Sequence, residues 1–340
     1  MRAAVFSEHG GPGVVGIGEV PLPEPGPGEV RLQVAAAALN HLDVWVRRGL
    51  PIQTTMPHVG GADVAGVVDA LGTGVTAVRI EDRVVVNPSL WCGACEWCAR
   101  GQHPLCLTYR ILGEHVQGGF AEFVVVPARN LYPVPAGYPM ETAAAAPLAF
   151  LTAWRALAKR ARLTAGESVL ITGASGGVAT AAIRIARHLG ARVYAVTSGD
   201  NVERVRSLGA DVVYDRDEVD FGKGVWRDTG RRGVDVVLDS VGQATWPRVV
   251  RSAARGGRIV VYGATTGPAL ETDGRVLFWK QLDVLGTTMS THAEFEEVME
   301  LVFSGALEPV IDVVWPLDRA RDAHERLEAG AQFGKIVLVP

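Results

Sequence analysis

Four cysteines, Cys92, Cys95, Cys98 and Cys106, fall within fifteen residues, and the chain has no others. Two-residue gaps between the first three let successive thiolates turn toward one centre, as tetrahedral zinc requires at sulfur distances of about 2.3 Å. Four thiolates fill the coordination shell and leave no position for water, so a zinc held here is structural, one per chain. Disulfides are the bland rival, disfavoured for so dense a cluster in a chain read as cytoplasmic. An iron–sulfur cluster shares the CxxCxxC run, but its fourth cysteine follows sooner and precedes proline.

A second chemical feature lies at Val169-Leu170-Ile171-Thr172, a strand pattern that runs into Gly173-Ala174-Ser175-Gly176-Gly177-Val178-Ala179 and then a helix pattern. Gly176 and Gly177 carry no Cβ to hold the backbone off a pyrophosphate, and the helix start supplies N–H groups and a positive dipole end. Ala179 stands where the third glycine of the dinucleotide fingerprint is often alanine. The bland alternative is a tight turn without a ligand. Ser175, Gly176, Gly177 and Val178 are therefore candidate cofactor contacts, joined by Gly263 after a later strand.

Coenzyme choice falls at the end of the next strand, Arg192 to Val196, where a carboxylate grips the ribose of NAD. Thr197 and Ser198 stand there instead. Without a carboxylate a 2′-phosphate meets no repulsion, so NADP is favoured, with Ser198 as donor and Arg204 or Arg192 as the cation. Asp200 keeps NAD as the alternative.

The elements that must position these residues fall into two groups. From Ala3 to Pro127 short β-rich runs alternate with turn clusters: Ala3 to Phe6, Glu29 to Ala37, Asp63 to Ala70, Arg83 to Asn87 and Phe120 to Val126. This predicts a small, mostly antiparallel β domain. A long Ala/Leu stretch of helical character, Glu141 to Leu157, follows, and after Leu163 strand and helix alternate. Six parallel strands are expected: Ser168 to Thr172, Arg192 to Val196, Val212 to Tyr214, Val234 to Leu238, Arg258 to Tyr262 and Leu282 to Leu285. The fold class is α/β, a doubly wound parallel sheet beside a β-rich domain. Residues 1–130 with 290–340 are expected to form the β-rich domain, with the cysteine lobe at 91–107, and residues 131–289 the dinucleotide-binding one; the tail from Thr291 folds back onto the first domain.

The 340 residues suit about two domains. Hydrophobic residues at 48% and charged ones at 21% exclude a disordered or fibrous chain. A net charge of −4 argues against general nucleic-acid binding, although Arg155, Lys159, Arg160 and Arg162 form a local basic cluster. No signal-like or membrane-length apolar run is present, so a cytoplasmic protein with no membrane partner is expected.

The β-rich N-terminal part, the CxxCxxCx7C lobe, the Gly176-Gly177-Val178 turn and the returning tail together resemble the medium-chain dehydrogenase/reductase superfamily, in its zinc-type alcohol dehydrogenase and quinone oxidoreductase-like branch, across nearly the whole chain. The resemblance implies a GroES-like catalytic domain, a Rossmann cofactor domain and a homodimer or homotetramer. It puts Asn40 where zinc-dependent members carry a catalytic cysteine, and Gly61-Ala62-Asp63 where they carry Gly-His-Glu; their third ligand falls near Ala146 and Pro147. Such residues cannot hold a catalytic zinc. The chain is thereby moved toward members that pass a hydride from nicotinamide to a quinone or an α,β-unsaturated carbonyl.

Asn40 is the leading candidate donor to the substrate oxygen, with a helix cap at His41 as its bland alternative. Asp43 and Asp63 are expected to order the catalytic floor. The resemblance puts Lys335 opposite Asp63, as an ion-pair partner or on a cofactor phosphate, with a simple surface salt bridge as the alternative. Thr152 is matched to a position near the nicotinamide. Trp45, Arg47, the turn at Gly49 and the loop Leu50 to Met56 are expected at the substrate mouth, and Trp279 near a subunit edge. Glu114 and His115, or His41, are candidate proton carriers. Rival functions are an alcohol dehydrogenase or carbonyl reductase with an unusual metal site from Asp63, His41 or Glu114, and a non-catalytic NADPH-binding protein.

Overall fold

The structure, a computed structural model, describes residues 1–52 and 54–340. Gln53, in the loop expected at the substrate mouth, lies outside the described residues. By its internal contacts the chain divides into two compact units, residues 1–148 with 290–305 and 309–340, and residues 149–289 with 306–308.

The first unit is built on a seven-stranded sheet. Along it run Leu131–Pro133, Arg83–Val86, Asp63–Leu71, Glu29–Ala38, Lys335–Val339 and Ile311–Pro316, and Phe123–Pro127 pairs with Glu29–Ala38 off that path. Period-two burial along Glu29–Ala38 puts Val30, Leu32 and Val34 into the same core as Val64, Val84, Val124 and Ile336. The pairings are antiparallel except that of Ile311–Pro316 with Lys335–Val339. The tail does return: Val337 pairs with Ala38, which on its other side pairs with Asp63. That register brings Lys335 into the neighbourhood of Asn40 and Asp63 from the far end of the chain.

This unit runs past the expected boundary at 130, because Leu131–Pro133 is still paired with Arg83–Val86. The expected long helix breaks into Met140–Ala144, Pro147–Trp154 and a wider π-helical segment, Arg155–Arg160. Pro147 causes the first break, since it has no N–H to continue a helix but suits the opening position of a new one.

The second unit is a six-stranded, wholly parallel sheet. Its strands lie in the order Val212–Asp215, Arg192–Thr197, Ser168–Ile171, Val234–Asp239, Ala253–Val261, Asp283–Gly286. In chain order this is 3-2-1-4-5-6, the dinucleotide-binding arrangement. The expected strands are present with shifted ends; the fifth begins at Ala253 rather than Arg258. Leu170, Tyr194, Val237 and Ile259 fill its core. Among the described residues no helix is long and apolar enough to cross a membrane.

Candidate functional site

In the first unit the strand Glu29–Ala38 ends just before Asn40, the N-cap of the helix His41–Arg48. Asp43, three residues on, accepts the Asn40 N–H at 2.7 Å with one carboxylate oxygen and the Gly61 N–H at 2.9 Å with the other. Burial pushes the Asp43 carboxyl up to about 6, against the pull of those two N–H groups. The capping reading of Asn40 therefore holds, but its side chain does more.

Asn40 Nδ2 donates to Asp63 Oδ2 at 2.9 Å and leans on the Ala38 carbonyl at 3.4 Å, too long for a strong bond. Its Oδ1 accepts from Lys335 Nζ at 2.5 Å. Lys335 is paired with Asp63 at 2.9 Å, and Asp63 Oδ1 also accepts the Leu148 N–H at 2.7 Å. Asp63 has no exposed surface and Lys335 only 3%, so this is a buried ion pair and not a surface salt bridge. Of the two places expected for Lys335, the structure shows it on Asp63.

Arg47 is not at an open mouth. It is wholly buried and bonded to Glu328 on the helix Ala320–Glu328, which also takes Arg48. Trp45 is half-buried with its ring 6.2 Å from that of His41. Burial, then the nearby Lys335 and Arg48 charges, hold His41 below its ordinary range. Glu114 is buried on the turn after Arg110–Ile111.

The cysteine lobe is closed at its base by the pair Ser89–Leu90 and Arg110–Ile111. All four thiols are free, and their sulfurs lie within 4.8 Å of one another. Three sulfur pairs are 3.5 to 3.8 Å apart, against about 3.8 Å for a tetrahedral zinc. The Ala94 and Cys95 N–H groups point at Cys92 Sγ, each at 3.4 Å, and hold that thiol below its ordinary range. The donor set and spacing fit a structural zinc. Among the described residues no other group of three or more His, Cys, Asp or Glu side chains converges on a metal position, so Asp63, His41 and Glu114 do not form one.

In the second unit Gly176 caps the helix Gly177–His188, whose first-turn N–H groups have no intrahelical partner. The turn is pinned by the Ala174 N–H on Val196 O at 2.9 Å, and Ala179 is buried against the sheet. Ser175 and Val178 flank this turn and are partly exposed. Thr172 bonds Asp239 at 2.6 Å, tying the first strand's end to the fourth's. Gly263 follows the fifth strand, and a Cβ there would lie 3.2 Å from the side chain of Ser240. Thr152 is buried and directs its hydroxyl to Met289 Sδ at 3.9 Å.

Comparison with known proteins agrees with both units. Residues 26–136 match the alcohol dehydrogenase GroES-like domain, and residues 208–338 match the zinc-binding dehydrogenase family. The chain is 32% identical to an alcohol dehydrogenase of Schizosaccharomyces pombe, over 99% of this chain and 97% of that one. It is 30% identical to a quinone oxidoreductase of Rattus norvegicus, over 100% and 98%. A solved NAD-dependent alcohol dehydrogenase superposes with a TM-score of 0.96 at 44% identity, each chain covered completely. The chain belongs to the medium-chain dehydrogenase/reductase family. It is an NAD(P)-dependent oxidoreductase, with a GroES-like part and a Rossmann-type parallel sheet.

As a member of that family the chain shows three departures from the sequence reading. Arg192 opens its strand and stacks over Tyr194, at the end of the sheet opposite the carboxyl ends where dinucleotides sit, so it is no phosphate ligand. Ser198 Oγ already accepts from Asn201 at 3.2 Å, while Arg204 is exposed on the helix Val202–Ser207. The third departure is a carboxylate that the second strand lacks: Asp215 pairs in register with Thr197, and a Cβ on Gly199 would lie 2.7 Å from its Oδ2. Strand adjacency was the signal for it. The basic cluster is largely absorbed by structure, since Arg155 is buried, Lys159 lies over Trp154 and Arg160 bonds Gly286 O.

Proposed function

We propose that the protein reduces a quinone or an α,β-unsaturated carbonyl with no catalytic metal. The observation that carries this is the Lys335 ammonium, 2.5 Å from Asn40 Oδ1 and 2.9 Å from Asp63 Oδ2. A cation already sits against Asn40, where the resemblance puts a ligand of metal-dependent relatives, and against Asp63 next to Ala62, a second such position that holds a buried apolar side chain. The competing alcohol dehydrogenase reading needs a convergent donor set, which the described residues place only at the cysteines.

When bound, the reduced nicotinamide supplies a hydride. Asn40 offers the substrate oxygen its second Nδ2–H, the one held only weakly on Ala38 O at 3.4 Å. Asp63 and Lys335 fix the amide's orientation, since Oδ1 must face the ammonium. Donors set in advance on a growing oxyanion stabilise it without reorganisation. Asp43 holds Asn40 and Gly61 in place through their backbone N–H groups.

The cofactor turn is assigned to Ser175, Gly176, Gly177 and Val178, with Thr152, Thr197, Ser198, Arg204 and Gly263 around the remainder. NADP(H) is the coenzyme in this reading, because the second strand ends without a carboxylate; Asp215 favours NAD(H) as the second reading. Zinc is assigned to Cys92, Cys95, Cys98 and Cys106. A homo-oligomer is supported by Phe278 and Trp279, exposed by 67% and 68% close to the edge strand Asp283–Gly286.

Titration with NADPH and then NADH, followed by nicotinamide fluorescence, with 1,4-benzoquinone and a simple enone added to each complex, tests the reading. Oxidation of the nucleotide by either acceptor is expected, with tighter binding of NADPH. Binding without oxidation refutes the reductase and leaves a dehydrogenase of another substrate or a non-catalytic nucleotide binder.

A further inference from the structure

Glu114 is a buried acid for which the proposed chemistry has so far given no use. It sits on the turn Ile111 to Val116, and the segment just after that turn is bonded to the floor: Gly119 N–H bonds Gly61 O at 2.8 Å and Phe120 N–H bonds Gly60 O at 3.0 Å. A Cβ on Gly113 would lie 2.7 Å from the Gly61 backbone. Gly61 is also the residue whose N–H Asp43 holds, so the turn that carries Glu114 and the Asp43 carboxylate meet at one backbone position, beside Ala62 and Asp63.

Among the described residues no lysine or arginine pairs with the Glu114 carboxyl. Among the described residues the groups that act on it are Asp43 on the helix His41–Arg48 and His115 on its own turn, while His58 lies on the Gly113 carbonyl next to it and Arg110, on the preceding strand, acts on His115. His58 spends Nε2–H on Gly113 O at 2.9 Å. His115 Nδ1 accepts the Ile111 N–H at 3.2 Å, so the nitrogen facing Glu114 Oε2 at 3.6 Å presents a lone pair, and burial, then the Arg110 charge, hold this ring below its ordinary range. A lone pair and a carboxylate repel, whereas a carboxylic acid fits the place. Burial, then the Asp43 charge, push Glu114 up to about 7.

We propose that Glu114 is the proton donor that completes reduction of an enone, which rests on the metal-free reductase reading above. The β-carbon gains a hydride and its electron pair from the reduced nicotinamide, which is thereby oxidised, and the carbon–carbon π pair shifts to give an enolate. The enolate's α-carbon then takes the proton from the Glu114 O–H as the carbonyl π bond re-forms. Glu114 is left as a carboxylate beside Asp43, a disfavoured pair of like charges, and recovers its proton from water.

Quinone reduction supplies the internal control, because its product oxygens take protons readily from water while an enolate carbon does not. The experiment compares wild type, E114Q and E114D with NAD(P)H and each acceptor, across pH. E114Q is expected to lose about a hundred- to ten-thousand-fold in enone kcat, to keep quinone turnover, and to lose the fall in enone kcat/KM that wild type shows as pH rises through about 7. E114D is expected to recover part of the enone rate, and an infrared band of a protonated carboxyl at neutral pH is expected in wild type and not in E114Q. Wild-type enone turnover and an unchanged pH profile in E114Q overturn the proposal, as does equal loss with both acceptors in E114Q and E114D. A wild type that reduces only the quinone overturns the proposal and leaves the reductase standing. A wild type that reduces neither overturns the reductase reading itself.

Discussion

Replacing Lys335 with methionine tests the floor most directly, because it removes the ammonium while keeping most of the apolar stem. Asp63 has no exposed surface and Lys335 is 3% exposed, so water cannot take over the lost charge. Leaving one member of a buried ion pair alone costs about 3–5 kcal/mol. Two N–H donors stay on Asp63, Asn40 Nδ2 at 2.9 Å and Leu148 N at 2.7 Å, which holds the cost near the lower end, about 3 kcal/mol. Asn40 Oδ1 loses its partner as well, adding about 1 kcal/mol. The expected loss is about 4 kcal/mol. In the pair K335M/D63N both charges are gone, so the double variant should be less damaged than the sum of the singles, with a coupling of about 2 kcal/mol or more. Chemical denaturation read by hydrogen exchange separates the two units, and only amides of the first, such as those of Ala37 and Val64, should lose protection. A K335M cost under about 1 kcal/mol, or additivity in the double variant, refutes the buried pair as the floor's anchor.

Two further outcomes are expected. Plasma emission spectroscopy should find one zinc per chain, lost in C98S together with hydrogen-exchange protection across residues 91–107 and with the second unit's protection unchanged; two zincs per chain would refute the metal-free floor. Gly113→Ala should destabilise the first unit by about 2 kcal/mol or more, since its φ is +74° and the new Cβ would press on the Gly61 backbone; unchanged denaturation midpoints would show that the turn is not held against the floor.

Much of the fold was legible because it rests on short-range pattern. Short β-rich runs between turn clusters marked the strands, and glycine spacing after Ile171 marked the tight turn into the helix Gly177–His188, in a chain whose later strands alternate with helices. The cysteine lobe is local in sequence, so the convergence of its four sulfurs could be read with no knowledge of the fold. What escaped is what depends on contacts between distant residues. Arg47 is silenced by Glu328, brought alongside by the packing of one helix on another. Asp215 reaches the end of its neighbour strand through sheet register, which no motif encodes. Arg192 was misassigned for a different reason: strand direction alone puts it at the wrong end of a parallel sheet, and that rule was available from sequence.

In the proposed reading, the floor's charge favours a conjugated acceptor over an alcohol. A catalytic zinc brings two positive charges to the substrate oxygen and makes a simple alkoxide tolerable near neutral pH. Lys335 brings one, and Asp63 cancels it at 2.9 Å, so Asn40 has only a dipole to offer. A dipole is weak support for a localised alkoxide but enough for charge that the substrate itself spreads over an enolate or a quinol ring. On that reading, an Asn–Asp–Lys cluster in place of a metal site moves part of the work of stabilising charge from the protein to the substrate's own conjugation. The carbon end of an enolate then still needs a proton from a group that holds one at working pH. Asp43 is tied up by two backbone N–H bonds, which is why the proposal gives that part to Glu114.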